Sequence, residues 1–565
     1  MTDKLFVIAI GGTGMRLLES FVHLCAIGMF DGQEIDILTI DTDNGNGNKD
    51  RTENLLNLYN KIKTSEGKKG GTPNRQTFFS AKLNLYRFYT DYSGNRSTYR
   101  NLANIMDGDA DNEDLAGLFL DKDTVQSFNL EHGYRAQTHL GSMLMYHGII
   151  EAAKNSFVKG DQALPQEKDL NEFLTKLMNA SDARVFIFGS VFGGTGASSI
   201  PVIPDALTEA VTIISDGKNT LDSDHVKFGA SLLTDYFSFP NPSGTGLDSE
   251  KVIANSNNFA LNSQAALDFY RKDPTVKRFY RRLYHVGWPR SMREDISNGK
   301  LLTGGSDQKN PCHVTELMCA MGAFDFFTLE ELPRMNNAEN MPCFYRTIEA
   351  SEDGKNLYFT AESFAEKGST ANMFVEHLAQ FFSFANVMLA SEYGAYRNLS
   401  TVSKEYGLYK FIQDAKRQKV PGFDMYSTIE PLDLAEIEEY LRLFAFSINN
   451  DNKTIVPGWI YQVKNSVKGK FIFANGFVET EKGVNSLGKI PGKLFDQADQ
   501  EKNWAGDEGG LMSQSSYSKF KDGAFKSTTI TAEQSAGSIK EQFIAFMYNA
   551  VRNAHNFSNA QQQQK

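Results

Sequence analysis

The fold of this chain is set by the stretch Leu5-Phe-Val-Ile-Ala-Ile-Gly-Gly-Thr-Gly14. Its apolar run predicts a buried strand, and the glycines that end the run predict a tight turn. Apolar residues follow at helical spacing from Met15 to Met29. The run Ile35 to Ile40 predicts a second strand, which ends in Asp41-Thr42-Asp43. A strand, a helix and a strand in this order form a βαβ unit, which requires a parallel sheet covered by helices.

Strand and helix patterns continue to alternate as far as residue 330. Further strands are predicted at 184–189, 226–233 and 282–286, and further helices at 142–153, 197–214, 257–270 and 311–327. Pro201 and Pro204 stand in the first turns of the helix predicted at 197–214, where proline is tolerated. We therefore predict that residues 1–330 form an α/β domain with a doubly wound parallel sheet.

Beyond residue 330 the alternation weakens, and we predict an α+β region over residues 331–540. The apolar stripe of residues 372–399 is typical of a core helix, with a partner-docking helix as the alternative. Residues 459–478 have the pattern of a β-hairpin, and residues 541–565 that of a helix with a glutamine-rich tail. Residues 60–125 are polar and favour no particular structure.

Composition and charge exclude several classes of protein. The chain has 565 residues, of which 41% are hydrophobic and 22% charged, as expected of a globular protein of about three domains. Its 58 basic and 69 acidic residues leave a net charge of −11, opposite in sign to that of a typical nucleic-acid binder. No segment has the roughly 20 apolar residues that cross a bilayer, and the first residues lack a signal-peptide pattern. We expect a cytoplasmic protein without membrane insertion or a nucleic-acid partner.

A metal centre at Cys312, His313 and Cys319 is the alternative to a pair of buried thiols. A structural zinc site needs four ligands, and the sequence offers no fourth one nearby. We therefore predict buried thiols and no metal centre.

Two glycine loops carry the strongest functional signal. The first, Gly11-Gly-Thr-Gly-Met-Arg16, lacks the last glycine of the dinucleotide fingerprint and the lysine of a P-loop. The second, Phe192-Gly-Gly-Thr-Gly-Ala-Ser198, again lies between a predicted strand and a predicted helix. A glycine turn at a helix start presents backbone N–H groups to an anion. Two such loops in one sheet can hold a polyphosphate from both sides, and two unrelated tight turns are the alternative.

The order of these motifs resembles that of the tubulin/FtsZ superfamily, and most of all its divergent bacterial tubulin-like members. The segment Phe188–Ala197 looks like the signature loop GGGTGT/S of that superfamily. Ala9–Gly14 stands where FtsZ has its first nucleotide loop, and Thr39–Asp43 where the second FtsZ strand ends. Gly133–Gly141 resembles the γ-phosphate loop, and Asn310–Phe327 the central core helix. The resemblance covers the predicted α/β domain.

The resemblance implies that GTP or GDP binds between the glycine loops, with Mg²⁺ as a candidate ion. Asp41 and Asp43 would contact ribose, base or a magnesium-bound water, with capping of a turn as the alternative. Arg135 would meet the terminal phosphate, with a surface arginine as the alternative, and Asn258 and Asn310 are candidates for base recognition. The full set of implied binding residues is Gly11, Gly12, Thr13, Gly14, Arg16, Asp41, Asp43, Arg135, Gly193, Gly194, Thr195, Gly196, Ala197, Ser198, Asn258 and Asn310.

Hydrolysis is less well supported than binding. In tubulin and FtsZ, an acidic GxxNxDxx(D/E) loop after the core helix reaches the nucleotide of the next subunit, and that motif is absent from this sequence. Glu330, Glu331 and Glu339 supply carboxylates without its spacing, so no catalytic residue is assigned.

Three functions follow as hypotheses. The first is a GTP-binding protein, a GTPase if the resemblance extends to hydrolysis, whose nucleotide state controls head-to-tail self-assembly into filaments. The second is a non-polymerising nucleotide-binding scaffold or sensor subunit of a multiprotein system, such as a defence system, with protein partners on its C-terminal half. The third, a Rossmann oxidoreductase that uses NAD, is disfavoured by the incomplete fingerprint and the second glycine loop.

Overall fold

A parallel sheet organises the first part of the chain in the computed structural model. Seven strands form it in the order β3-β2-β1-β4-β5-β6-β7, and every neighbouring pair is parallel. The strands are β1 Lys4–Ile10, β2 Glu34–Asp41, β3 Lys82–Tyr89, β4 Ala183–Ser190, β5 Val226–Leu233, β6 Tyr280–Val286 and β7 Cys343–Arg346.

The structure describes residues 4–63, 77–90, 134, 138–239, 255–290, 293–295, 304–310, 312–333, 343–347, 349–350, 357–358, 361–371, nine positions between 373 and 388, 416–417, 434–448, 455–457, 479–480, 483–484, 528–531, 534 and 538–563.

Helices cover both faces of the sheet. They are α1 Gly11–Ala26, α2 Gly47–Lys63, α3 Thr138–Lys159, α4 Pro165–Met178, α5 Thr195–Ser199, α6 Ile203–Ile214, α7 Phe259–Lys272, α8 Pro274–Phe279, α9 Val314–Thr328, α10 Ala361–Phe364, α11 Ala435–Ala445 and α12 Ile539–Gln563. Helices α1, α2, α9, α11 and α12 share one apolar core, and α3, α4 and α6 to α8 share the other. The predicted α/β fold, with helices on both sides of a parallel sheet, is confirmed.

Strand β1 shows why these segments pair as a central sheet. Leu5, Val7 and Ala9 belong to one core, while Phe6 and Ile8 belong to the other. Alternate side chains of a strand point to opposite faces, so a strand buried on both faces must be apolar at every position. The continuous apolar runs of the sequence are therefore the inner strands.

Helix α9 packs on the sheet and runs from the carboxyl ends of the strands to their amino ends. Its residues from Val314 to Phe327 are all buried. It begins beside the carboxyl ends of the strands and ends near their amino ends, where Arg184 of β4 donates to the Phe326 carbonyl oxygen at 2.9 Å. The predicted helix 311–327 starts later than expected because His313 caps it: the Nδ1 atom of His313 accepts from the Thr315 N–H at 3.3 Å.

Two local predictions need correction. The single helix predicted at 197–214 is wrong, because α5 ends at Ser199 and α6 begins at Ile203. Pro201 stands in the break, since its ring and its missing N–H are incompatible with a helix interior. Helix α1 starts at Gly11 and not at Met15, so the first glycine loop is itself the first turn of the helix.

The region beyond residue 330 is described only in part. Phe374, Phe381 and Phe384 are buried in the core, which favours a core helix within 372–399 over a docking helix. The hairpin predicted at 459–478 lies outside the described residues. Among the described residues, no helix is long and apolar enough to span a membrane.

Candidate functional site

The two glycine loops lie where the strand order of the sheet reverses. Strands β1 and β4 are neighbours, but β1 leads to one half of the sheet and β4 to the other. In open α/β sheets, ligands bind outside the carboxyl ends of the strands at such a point. A Cβ atom built on Gly11 would lie 3.1 Å from the Cβ of Thr195, so the two loops are in direct contact.

The first loop is the uncapped start of a long helix. Gly11 has a φ of +67°, which favours glycine, and the 16-residue helix α1 begins at this position. No side chain caps the helix, and its first turn holds no acidic residue. The first N–H groups of a helix lack intrahelical partners and carry partial positive charge. Gly12 and Thr13 are half-buried, so these donors face an accessible edge.

The last glycine of each loop serves packing. A Cβ on Gly14 would lie 2.5 Å from the carbonyl oxygen of Phe188, and one on Gly196 would lie 2.8 Å from the backbone nitrogen of Ser190. Both positions let a helix approach the backbone of β4 more closely than any larger residue would allow. By contrast, a Cβ on Gly193 would meet, among the described residues, only the Ser190 hydroxyl, at 3.1 Å, and Gly193 is half-buried, so it remains accessible to a ligand.

Two other predicted residues of the second loop face inwards. Ala197 and Ser198 are buried, and the Ser198 hydroxyl donates to the Thr195 carbonyl oxygen at 3.0 Å. The half-buried residues of this loop are Gly193, Gly194 and Thr195, so these three are the accessible ones.

The start of α3 forms a third wall beside the second loop. A Cβ on Gly141 would lie 2.5 Å from the Ser198 hydroxyl oxygen, and the Ser142 hydroxyl donates to the Ser198 carbonyl oxygen at 2.7 Å. Arg135 lies outside the described residues, so its contact with a terminal phosphate stays a prediction.

Arg16 lies beside α9, with its guanidinium between carboxylates. Its side chain is fully buried; one terminal nitrogen lies 3.0 Å from Glu316 and the other pairs with Glu19. Its charge is thus balanced inside the protein, and we leave it out of the ligand contacts proposed below.

Asp41 and Asp43 cap the turn at the end of β2, and Asp41 keeps one oxygen available. The Oδ1 atom of Asp41 accepts from the Thr42 N–H at 2.8 Å, and the Oδ2 atom of Asp43 accepts from the Gly305 N–H at 2.6 Å. The Oδ2 atom of Asp41 is buried and has no hydrogen-bond partner among the described residues. Burial, reinforced by Asp43, raises the pKa of Asp41 to about 7. A group that donates to this oxygen, or a cation, would complete its environment.

Residues 304–310, the cover segment, reach the first loop from far along the chain. The Nδ2 atom of Asn46 donates to the Oε1 atom of Gln308 at 2.6 Å, and a Cβ on Gly12 would lie 3.1 Å from both atoms. Asn310 is buried; its N–H donates to Asn48 at 2.9 Å, and its side-chain oxygen has no partner among the described residues. Sequence reasoning missed Gln308 and Asn46 as site residues. The polar run that contains Asn46 was a usable signal, whereas Gln308 had none.

The start of α7 lies beside the second loop. The Phe259 ring packs against the Phe192 ring with 4.9 Å between the ring centroids, and the Nδ2 atom of Asn262 donates to the Phe192 carbonyl oxygen at 3.4 Å. Asn258 is exposed at this position. Its predicted contact with a base stays a prediction.

The predicted thiols are buried, and the acidic residues lie away from the glycine loops or outside the described residues. Cys312 and Cys319 are buried, and the described residues contain no group of three or more histidine, cysteine or acidic side chains that could hold a metal ion. Glu330 and Glu331 are exposed just beyond the end of α9, at the opposite edge of the sheet from the glycine loops. Glu339 lies outside the described residues.

No protein-family model and no curated protein matches this chain. A function must therefore follow from the site itself.

Proposed function

We propose that this chain is a bacterial tubulin-like protein that binds GTP or GDP between its two glycine loops. The observation that carries the proposal is the contact of Gly11 with Thr195 at the point where the strand order reverses. Backbone N–H groups from two strand-to-helix turns then face one accessible edge. Such donors bind a polyphosphate without lysine, which suits an acidic protein.

Different accessible residues would contact different parts of the proposed nucleotide. Gly12 and Thr13 would donate to phosphate oxygens from one side, and Gly193 to Thr195 from the other. Asp41 has a buried oxygen to accept from a ribose hydroxyl or from a magnesium-bound water. Gln308 and Asn310 carry amides suited to the nucleoside end. Magnesium, when bound, would neutralise charge on the phosphates.

The identity of the bound nucleotide tests this proposal most directly. Purified protein is denatured, and the released small molecules are identified by mass spectrometry. We expect GDP or GTP at one molecule per chain. Isothermal titration of nucleotide-free protein is then expected to give tighter binding for GTP and GDP than for ATP. Protein that neither carries nor binds a guanine nucleotide would overturn the proposal.

A dinucleotide is the second candidate, favoured by one observation. In dinucleotide-binding sheets of this strand order, an acidic residue after the second strand binds the ribose, and Asp41 ends β2. The contact between the glycine loops favours a single polyphosphate instead. Titration with NAD under the same conditions separates the two, because NAD should bind more tightly than GTP if this second candidate is correct.

Head-to-tail self-assembly is the further part of the proposal. The glycine loops lie at the carboxyl ends of the strands, and the exposed pair Glu330 and Glu331 lies near their amino ends. Stacking two copies in one orientation would therefore bring the acidic pair of one copy towards the nucleotide of the next. Such contacts are heterologous and produce open filaments unless the rotation closes a ring. Sedimentation with GTP, GDP or no nucleotide tests this, and filaments are expected with GTP.

The alternative to assembly is a non-polymerising scaffold or sensor subunit. Native mass spectrometry that finds only defined oligomers with retained nucleotide would support this alternative and contradict filament formation. Phosphate release during sedimentation tests hydrolysis. We expect the double variant Glu330→Gln, Glu331→Gln to slow phosphate release if these acids serve the neighbouring subunit.

A further inference from the structure

A buried ion pair joins the helix of the first glycine loop to α9. Arg16 lies in the second turn of α1, and its guanidinium nitrogen is 3.0 Å from the Oε2 atom of Glu316, in the first turn of α9. Both side chains are 0% exposed. Breaking a pair at such a depth leaves an uncompensated charge, which makes the contact costly to lose.

Glu316 also anchors the start of α9. Its Oε2 atom accepts from the backbone N–H of His313 at 3.1 Å, which forms one half of a capping box. Its Oε1 atom accepts from the hydroxyl of Tyr236 at 2.9 Å. One carboxylate therefore holds together α1, the beginning of α9 and the loop after β5.

The same cluster continues to the cover segment, residues 304–310. Glu19, which pairs with Arg16, accepts from the Nε atom of Arg51 at 2.9 Å. The Nη2 atom of Arg51 donates to the Asn310 carbonyl oxygen at 2.7 Å. Asn310 ends the segment that carries Gln308 over Gly12. A continuous series of polar contacts thus links α1 to the segment that covers its own first turn.

We propose that the Arg16–Glu316 pair is the positioning element that holds the start of α9, and the adjoining Asn310 end of the cover segment, against α1 beside the first glycine loop, and that proton uptake by Glu316 releases this hold. The release itself does not depend on any ligand. Its effect on nucleotide affinity rests on the proposed function. A neutral Glu316 loses its charge attraction to Arg16, which stays paired with Glu19, and loses one of the acceptor positions that it now uses.

The groups around Glu316 allow it to take up a proton near neutral pH. Facing it are Arg16 and Glu19 from α1, Tyr236 from the loop after β5, and His313 and Cys319 from its own element. Burial, together with Glu19, raises the pKa of Glu316 to about 7, although Arg16, the His313 N–H and Tyr236 act in the opposite direction. Burial lowers the pKa of His313 to about 3, so this ring stays neutral. Burial also raises the pKa of Tyr236 and of Cys319, which therefore keep their protons.

Hydrogen–deuterium exchange of the full chain tests the hold without any nucleotide. Exchange of the backbone amides of Asn310 and His313 is compared at about pH 6 and about pH 8, after correction for intrinsic rates. We expect about tenfold faster corrected exchange at the lower pH in the wild type. Glu316→Gln, which cannot ionise, is expected to show the fast rate at both pH values.

Glu167→Gln is the matched control. Glu167 is also the glutamate of a capping box, in α4, where its Oε2 atom accepts from the Leu164 N–H at 2.8 Å. This variant is expected to leave exchange at both amides as in the wild type. Wild-type exchange that does not differ between the two pH values would overturn the proposal, and this comparison needs no variant to fold. Wild-type behaviour of Glu316→Gln would overturn it as well.

Titration of the same samples with GTP measures the consequence for binding. The fall in affinity between about pH 8 and about pH 6 is expected to be about tenfold larger in the wild type than in Glu316→Gln. A wild type that binds no GTP at either pH would refute the proposed function, whereas the exchange experiment would still decide the role of the ion pair. Equal pH effects on both proteins would overturn the coupling.

Discussion

The tetrapeptide Gly-Gly-Thr-Gly occurs after two strands, at 11–14 and at 193–196, and its two copies fold differently. The first copy starts α1 at its first glycine, whereas the second stays in a loop until Thr195 starts the five-residue α5. Val191 and Phe192 separate the second copy from β4, and Phe192 is held in an aromatic cluster. The same tetrapeptide therefore adopts two geometries, because two further residues join the second copy to its strand and none join the first.

The surroundings of the two copies differ as well. Asn46 and Gln308 cover the first copy with amides, and Asp41 ends the neighbouring strand. The Ser190 hydroxyl is the near neighbour of Gly193 in the second. One feature is common to both, because the last glycine of each copy is pressed against β4. The comparison separates glycines needed for packing from glycines available to a ligand, and four predictions test the two copies and their surroundings.

The largest expected effect is on stability. In Gly14→Ala the new methyl group would meet the Phe188 carbonyl oxygen at 2.5 Å, so α1 must move away from β4. We expect a loss of about 3 kcal/mol in the free energy of unfolding, measured by chemical denaturation. Gly193→Ala, where the new methyl group would meet only a serine hydroxyl among the described residues, at 3.1 Å, should lose less than about 1 kcal/mol. Equal losses in both variants would contradict the division into packing and ligand-facing glycines.

Gly193→Asp is expected to weaken GTP binding about 100-fold. A carboxylate placed in the second copy would repel phosphate at close range, and the penalty at a partly exposed site is a few kcal/mol. The matched control is Gly368→Asp, at an exposed glycine whose built Cβ has no atom of the described residues within 4 Å. Isothermal titration should show wild-type affinity for the control. Unchanged affinity in Gly193→Asp would remove the second copy from the site.

The third prediction concerns pH and Asp41, beside the first copy. Burial raises the pKa of Asp41 to about 7, so the folded protein binds this proton more tightly than the unfolded chain. Its contribution to stability is full below about pH 4 and declines as pH rises through about 7. Between about pH 5 and about pH 8, the free energy of unfolding of Asp41→Asn should therefore fall by about 2 kcal/mol less than that of the wild type. Denaturation at both pH values measures this difference.

Asp307→Asn, an exposed change in the cover segment, is the control and should follow the wild type. A stability profile of Asp41→Asn parallel to that of the wild type would show that Asp41 ionises normally.

The smallest effect is expected when the cover of the first copy is trimmed. Gln308→Ala removes the amide that accepts from Asn46 at 2.6 Å, while the Asn46 side chain still lies beside Gly12. We expect about fivefold weaker GTP binding, equivalent to about 1 kcal/mol, with little change in stability. Ser306→Ala, at an exposed position of the same segment, should bind as the wild type does. If both variants bind equally well, the cover segment does not contact the ligand.

Local pattern was sufficient to predict the inner strands but neither of the two outer ones, β3 and β7. Strands β1 and β4 carry continuous apolar runs, and β2 has four apolar residues between Ile35 and Ile40, because both faces of these strands are buried. Strand β3 reads Lys-Leu-Asn-Leu-Tyr-Arg-Phe-Tyr and lies at the edge of the sheet, where several positions are only partly buried. Its mixed polarity hid it within the stretch 60–125.

Charge type alone was misleading for Arg16. An arginine at the end of a glycine loop is suited to phosphate, and the resemblance to FtsZ pointed the same way. In the structure α9 supplies a carboxylate at that point, so the guanidinium is neutralised internally. Since Glu316 is far away in the sequence, no local pattern could indicate the pair.

The sequence by itself determined that strands, glycine turns and helices alternate, and hence that a parallel sheet has helices on both faces. These features depend on apolar periodicity and turn chemistry within short segments. The tertiary structure alone decided that the two Gly-Gly-Thr-Gly copies meet, which of their glycines are pressed against β4, and that Gln308 lies over Gly12. Such contacts join residues far apart in the chain, and their distances are set by how strands and helices pack.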